Sequence, residues 1–211
     1  MPDAARDALI IFARLPVPGR AKTRLGRTLG MVEAARFYGE MAEHAFRIGD
    51  EELARGTEVH LRYTAPAPEE EVRRWVGRSF RYAEQVGETL GDRMRRAFED
   101  LFAAGCARAV IIGTDVPELE PEDVRNAFAC LEDADLVVGP STDGGYYLLG
   151  MRRLHTELFE GIAWSSDTVC PETLRRAEAS GLRCALLDPL TDIDSMEDYL
   201  AYRLRRGVRE A

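Results

Sequence analysis

The stretch from Ala8 to Leu25 constrains this chain more than any other. Ala8-Leu-Ile-Ile-Phe-Ala13 is a short apolar run cut off by Pro16, Pro18 and Gly19, as a strand buried on both faces of a parallel sheet would be. The chain then turns basic, with Arg14, Arg20, Lys22 and Arg24 in a protein whose net charge is −9. The prolines stiffen the loop, and Gly19 allows a ligand close to the backbone. Such a loop is either solvated surface or a seat for phosphates. Its place after the carboxyl end of the first strand, ahead of a helix beginning near Met31, favours the second, because open α/β sheets bind ligands there. A Walker A loop is excluded by Ala21, which stands where glycine must precede Lys22, and no dinucleotide fingerprint is present.

A chain of 211 residues is long enough for one domain with a large core, so a single domain over 1–211 is expected. The acidic balance argues against nucleic acid as a partner and matches the local basic loop to a small anionic ligand. Cys106, Cys130, Cys170 and Cys184 are scattered, with no histidine at ligand spacing. They read as buried thiols rather than a zinc site or a disulfide framework. No apolar run approaches membrane-spanning length, and Met1 to Asp7 holds no apolar leader core, so a cytoplasmic protein without a membrane partner is expected.

Met31 to Ile48 carries apolar residues at helical spacing, and Thr57 to Tyr63 alternates as a strand. His44 and His60 within them read as packing residues. A short helix anchored by Trp75 spans Pro66 to Val76, and Ser79 to Ala83 is a third strand. The stretch from Gln85 to Arg93 then offers a polar cluster, either a charged helix start or part of a site.

Ala107 to Ile112 is a strongly apolar strand ending in Gly113-Thr-Asp-Val-Pro117, which puts Asp115 at a strand's carboxyl end. There it either holds a divalent cation against a diphosphate or shapes the turn before Pro117. After a helix over Pro121 to Leu131 and a strand over Asp135 to Gly139, Gly144-Gly145 gives a tight turn beside Asp143, and Tyr146 to Met151 resumes as strand. Ser166 can cap a helix running through Thr173 to Ala179, and Arg183 to Leu187 is a last strand. Asp192 and Asp194 flank Ile193 and share one side if the backbone is extended, and Ser195 caps the final helix with Asp198.

Phe12-Ala-Arg-Leu-Pro-Val-Pro-Gly-Arg-Ala-Lys-Thr-Arg-Leu25, Gly113 to Pro117, Gly139 to Gly150, Trp164-Ser-Ser-Asp167 and Asp192 to Asp198 together resemble a bacterial glycosyltransferase-A-type family of nucleotide-diphospho-sugar transferases. That is a domain-of-unknown-function family related to nucleotidyltransferases. Lys-Thr-Arg-Leu also resembles the guanylyltransferases that activate phospholactate, and Asp-Ile-Asp resembles nucleotidyltransferases of molybdenum-cofactor and sugar metabolism.

The resemblance implies a three-layer α/β/α sandwich with a mixed, mostly parallel sheet that binds a nucleoside diphosphate or triphosphate with Mg²⁺ or Mn²⁺. The phosphate-contacting role maps onto Arg14, Lys22 and Arg24, and the metal role onto Asp115. The usual Asp-x-Asp pair is reduced here to one carboxylate. A second would have to come from Asp192 or Asp194, or else the cation is weakly held. The matching stretches and the polar cluster complete the expected substrate-binding set with Ala13, Gly19, Thr23, Gln85 and Asp92, and with Thr114, Gly144, Gly145 and Trp164. Asp143 or Asp167 is the expected base.

The expected partners are a nucleotide-sugar or nucleoside triphosphate and a small-molecule acceptor. Because the close glycines that open nucleotidyltransferases are missing after the first strand, sugar transfer from a nucleotide-sugar is the leading expectation. Nucleotidyl transfer to a phosphorylated small molecule and nucleotide binding without catalysis are the alternatives.

Overall fold

The computed structural model describes residues 6–207. Residues 1–5, read above as lacking a leader, lie outside them. In chain order the elements are β1 (Arg6–Ala13), α1 (Thr23–Leu29), α2 (Met31–Ala54), β2 (Glu58–Tyr63), α3 (Glu69–Val76), β3 (Arg81–Glu84), α4 (Leu90–Ala103) and β4 (Cys106–Ile112). They continue with α5 (Pro121–Cys130), β5 (Leu136–Pro140), β6 (Tyr146–Met151), α6 (Val169–Ala179), β7 (Cys184–Leu186) and α7 (Met196–Arg205).

The strands form one seven-stranded sheet in the order β3-β2-β1-β4-β6-β5-β7. Only β6 runs against its neighbours, pairing antiparallel with β4 and β5, and the other pairings are parallel. Alternate residues of the central strands feed opposite cores, as the two-residue period of a strand requires. Leu9, Ile11, Val110 and Ile112 pack on one face under α2, α3, α5 and α7. Ala8, Ile10, Ala109 and Ile111 pack on the other under α4 and α6. The result is the expected α/β/α sandwich with a mixed sheet.

Three features differ from the sequence reading. Ser166, expected to cap the sixth helix, instead donates its hydroxyl to the Ala163 carbonyl at 2.7 Å, and α6 begins after Thr168 with no side-chain cap bond. Thr23–Leu29, read as the end of a loop, is the short helix α1, with Lys22 just before it in a left-handed conformation (φ 47, ψ 49). The first long helix runs on to Ala54, past the expected end at Ile48, because Glu52 and Leu53 continue its turns until Gly56 adopts φ 97. Of the four thiols, Cys106 and Cys170 are buried while Cys130 and Cys184 are half-buried, and all are free.

Candidate functional site

β1 and β4 pair side by side as far as Ile11 and Ile112, and then their chains part. From β1 the chain builds β2 and β3 on one side, and it returns to place β4 on the other, so the parting point is the topological switch of the sheet. A cavity of about 800 Å³ opens there, over the carboxyl ends of β1, β2 and β4. It gathers the basic loop, the Asp115 turn, the glycine turn after β5, the Trp164 loop and the Asp192–Asp194 segment.

Tyr38 reaches up from α2 into the gap between the parting strands. Its hydroxyl accepts the Arg14 N–H at 3.0 Å and lies 2.7 Å from the Thr114 hydroxyl, which in turn donates to the Phe12 carbonyl at 3.3 Å. An amide N–H can only donate and a carbonyl only accept, so the protons run one way, from Arg14 through Tyr38 and Thr114 to Phe12. Burial raises the pKa of the phenol, which keeps it protonated for this duty. The residue before Asp115 and the first residue of the basic loop are thereby tied together.

Asp192 and Asp194 come to the same place by a backbone bond. The Ile193 N–H donates to the Asp115 carbonyl at 3.0 Å, and the Ile193 side chain is buried beneath. Behind them the Asp198 carboxylate accepts the N–H of Asp194 and the N–H and hydroxyl of Ser195, which fixes the start of α7.

Lys22 lies between these groups. Its Nζ is 2.5 Å from Asp194 Oδ1 and 3.2 Å from Asp115 Oδ2, with 6% of the side chain exposed. Burial works against the charge, but the two carboxylates more than offset it and push the pKa up to about 12, so the ammonium persists at any physiological pH. Asp192 responds the other way. Partial burial and the nearby charges of Asp143, Asp115 and Asp194 raise its pKa to about 6. Arg24 is mostly exposed with its guanidinium 4.0 Å from Asp194, and Arg14 donates to the Arg20 carbonyl at 3.4 Å. Both stand at the mouth of the cleft.

Among the described residues, no three histidine, cysteine or carboxylate groups stand in ligating geometry. Asp115 and Asp194 nonetheless converge on a cation, one that the chain itself supplies. Two carboxylate oxygens and room for ligand phosphates fit the donor set of Mg²⁺ or Mn²⁺, with Asp192 beside them as a further oxygen donor.

Of the expected site residues, Ala13, Arg14, Lys22, Thr23, Arg24, Gln85, Thr114, Asp115, Asp143, Gly145, Trp164, Asp167, Asp192 and Asp194 all line this cleft. Gly19, Asp92 and Gly144 do not. Asp92 closes a capping box with Thr89 at the start of α4. Gly144 has φ +90, and a Cβ there would fall 2.1 Å from the Asp167 carbonyl oxygen, so it lets two loops meet rather than admitting a ligand. Gly19 is exposed with φ +78 and nothing within 4 Å of a Cβ built on it.

Lining the cleft does not leave every side chain free. The Gln85 amide donates to the carbonyls of Arg62 (2.8 Å) and Ala13 (3.3 Å) and accepts from Thr64 (3.3 Å), joining the ends of β1, β2 and β3. Asp143 Oδ1 accepts the Ser141 hydroxyl at 2.5 Å and the Gly145 N–H at 2.8 Å, so this oxygen shapes its own turn. Trp164 stacks on Phe159 and lies against Gly91, where a Cβ would fall 2.1 Å from the indole.

Sequence reasoning missed Tyr38, Thr64 and Arg20, which also line the cleft. Arg20 carried a signal, as a cation inside the basic loop. His44 and His60 lie outside the cleft, against the Leu119 carbonyl and Glu58. No helix among the described residues is long and apolar enough to cross a membrane.

Residues 51–166 match a family described as uncharacterized proteins conserved in bacteria (DUF2064). A crystal structure of a protein from Desulfovibrio desulfuricans G20, provisionally described as a nucleotide-diphospho-sugar transferase, is similar with a TM-score of 0.86 at 31% identity. That likeness covers 95% of this chain and 88% of the other. A 2-phospho-L-lactate guanylyltransferase of Methanopyrus kandleri is 36% identical over 97 residues, covering 43% of this chain and 47% of that protein. The match thus spans about half the length of the curated relative. The inositol-1-phosphate CTP transferase from T. maritima shares the fold, with a TM-score of 0.59 at 17% identity over 99% of this chain and 98% of that one.

Proposed function

The chain belongs to the DUF2064 family, and from that membership and the geometry of the cleft we propose that it is a nucleotidyltransferase acting on a phosphorylated small molecule. The observation that carries this reading is the Lys22 ammonium held between Asp115 and Asp194, under a basic loop at the switch point of the sheet. A phosphate oxygen of the acceptor attacks the α-phosphorus of a nucleoside triphosphate. A new P–O–P bond forms, the bond from the α-phosphorus to the bridging oxygen breaks, and pyrophosphate leaves. The acceptor is already an anion at neutral pH, so no base is needed, and positioning and charge neutralisation do the work. Arg14, Lys22 and Arg24 bind the phosphates, and Thr23, Thr114 and Gly145 border them.

Asp115 and Asp194, with Asp192, would hold Mg²⁺ or Mn²⁺, which would neutralise charge on the phosphates. Asp143 and Asp167, expected as bases, become walls of the acceptor side with Trp164. The leading expectation from sequence, sugar transfer from a nucleotide-sugar, becomes the second reading, and the Desulfovibrio relative favours it. It requires a base to take a hydroxyl proton, and Asp143 has one oxygen already committed to Ser141 and Gly145. The similarity to a guanylyltransferase supports the first reading. The protein would act as one domain in the cytoplasm.

Asp115→Asn tests the carboxylate role. The variant keeps its size and an oxygen that can accept from the Lys22 ammonium, which Asp194 still neutralises, so the protein should stay folded with a stability loss on the order of 1–2 kcal/mol. Metal-dependent nucleotide binding should be lost and turnover should fall roughly a hundredfold, the scale of several kcal/mol of charge stabilisation. Normal turnover with unaltered metal dependence would take Asp115 out of the site.

A further inference from the structure

Lys22 is the one lysine of the chain; its other permanently charged basic residues are all arginine. It is also the one cation of its loop that turns inward. Arg24 beside it stays 71% exposed, whereas Lys22 enters the protein on a left-handed backbone that a residue with a Cβ adopts reluctantly. The two kinds of cation differ in what they can release. An arginine fork holds carboxylates in paired, directional bonds, while an ammonium is a compact charge on a flexible four-carbon stem. Asp115 and Asp194 keep 41% and 42% of their side chains exposed, so a ligand in the cleft reaches them while Lys22 is still seated.

We propose that Lys22 is a displaceable counter-cation. Before nucleotide binds, its ammonium fills the position between Asp115 and Asp194 that a divalent cation needs, and the nucleotide's phosphates draw it away so that cation and nucleotide enter together. The inference rests on the reading of these two carboxylates as the holders of that cation. A cation arriving alone must expel the ammonium from both carboxylates without offering it a new partner. A polyphosphate supplies that partner, and the seat is freed. Nucleotide therefore raises the affinity for the cation, and the cation raises the affinity for nucleotide by the same factor.

Calorimetric titration with Mn²⁺ alone, comparing the parent with Lys22→Met, tests this directly, because methionine approximates the stem and removes the charge. Lys22→Met should bind Mn²⁺ at least tenfold more tightly than the parent. It should bind a nucleoside triphosphate in metal-free buffer at least tenfold more weakly, and adding Asp194→Asn should abolish the gain in Mn²⁺ affinity. Equal or weaker Mn²⁺ binding by Lys22→Met overturns the proposal. Should that variant not fold, the parent itself serves, since ¹⁵N-lysine labelling gives one side-chain ammonium signal. The signal should hold its position in Mg²⁺ alone and shift when Mg²⁺ and nucleotide are added together. A shift with Mg²⁺ alone, or none with both, contradicts the proposal. The underlying reading fails separately. Unaltered metal dependence in Asp115→Asn removes the cation site itself, whereas loss of that dependence beside unchanged Mn²⁺ affinity in Lys22→Met removes only the displacement.

Discussion

Replacing Tyr38 by phenylalanine takes away one oxygen and leaves the Arg14 N–H and the Thr114 hydroxyl without the partner that joins them. A buried polar group so stranded costs about 1–3 kcal/mol. Both groups belong to strand ends that carry the site, so the loss should show in ligand binding as well as in stability. Nucleotide affinity measured by calorimetry should fall roughly 5- to 30-fold, the equivalent of about 1–2 kcal/mol. Tyr82→Phe, which removes a hydroxyl bonded to the Arg78 carbonyl away from the cleft, should leave that affinity unchanged. Tyr38 was legible as a core position, because helical spacing identifies the side of α2 that faces the sheet. Its hydroxyl's partners lie 24 and 76 residues away in sequence, and periodicity carries no information at that range.

The elements themselves were mostly readable, because apolar runs and proline or glycine breaks mark strand ends where the backbone must leave the sheet. The exceptions have local causes. α1 hides in the basic loop because Thr23–Leu29 is too short to show a period, and Lys22 before it takes a conformation usually left to glycine. Gly91, a loop residue by sequence, lies in the first turn of α4, where the Trp164 indole rests against it. The end of α2 was misread because the apolar spacing that marked the helix stops at Ile48, six residues before its end at Ala54. Its last turn carries Asp50, Glu51 and Glu52 and no basic residue, contrary to what a helix dipole favours.

That arrangement yields a prediction about Glu52, which is 2% exposed with Oε1 unpartnered, and whose carboxyl pKa is raised by burial above the ordinary 4.5. A raised carboxyl pKa means that the folded state holds the proton more tightly. Its contribution to stability is therefore complete below pH 4.5 and is lost as the pH rises through the folded value. Glu52→Gln imitates the protonated form. Thermal melts should show it more stable than the parent at pH 7, by on the order of 1 kcal/mol, with the advantage vanishing below about pH 4.5. An advantage that persists unchanged at pH 4 would mean that the charge is not the cause.

At the scale of the molecule, the switch between β1 and β4 decides where the cleft opens. The strand order sends the chain out on both sides of one gap, and five separate segments meet over it. Sequence reasoning reached this gap because glycine, proline and carboxylate clusters follow strand ends. It could not tell which polar groups the fold would use for itself. Asp92 went to a helix cap, Gly144 to a contact between loops and the Gln85 amide to the strand ends. The commitment of one Asp143 oxygen to its own turn is likewise visible only in three dimensions.

In the proposed reaction a phosphorylated acceptor opens a nucleoside triphosphate between its α- and β-phosphates. ³¹P NMR of the protein with a panel of nucleoside triphosphates, phosphorylated small-molecule acceptors and Mg²⁺ or Mn²⁺ reads this bond directly. Pyrophosphate should appear together with a new diphosphate signal, formed only when acceptor and metal are both present. Nucleoside diphosphate released from a nucleotide-sugar in the presence of an acceptor, with no pyrophosphate from any triphosphate in the panel, would contradict it.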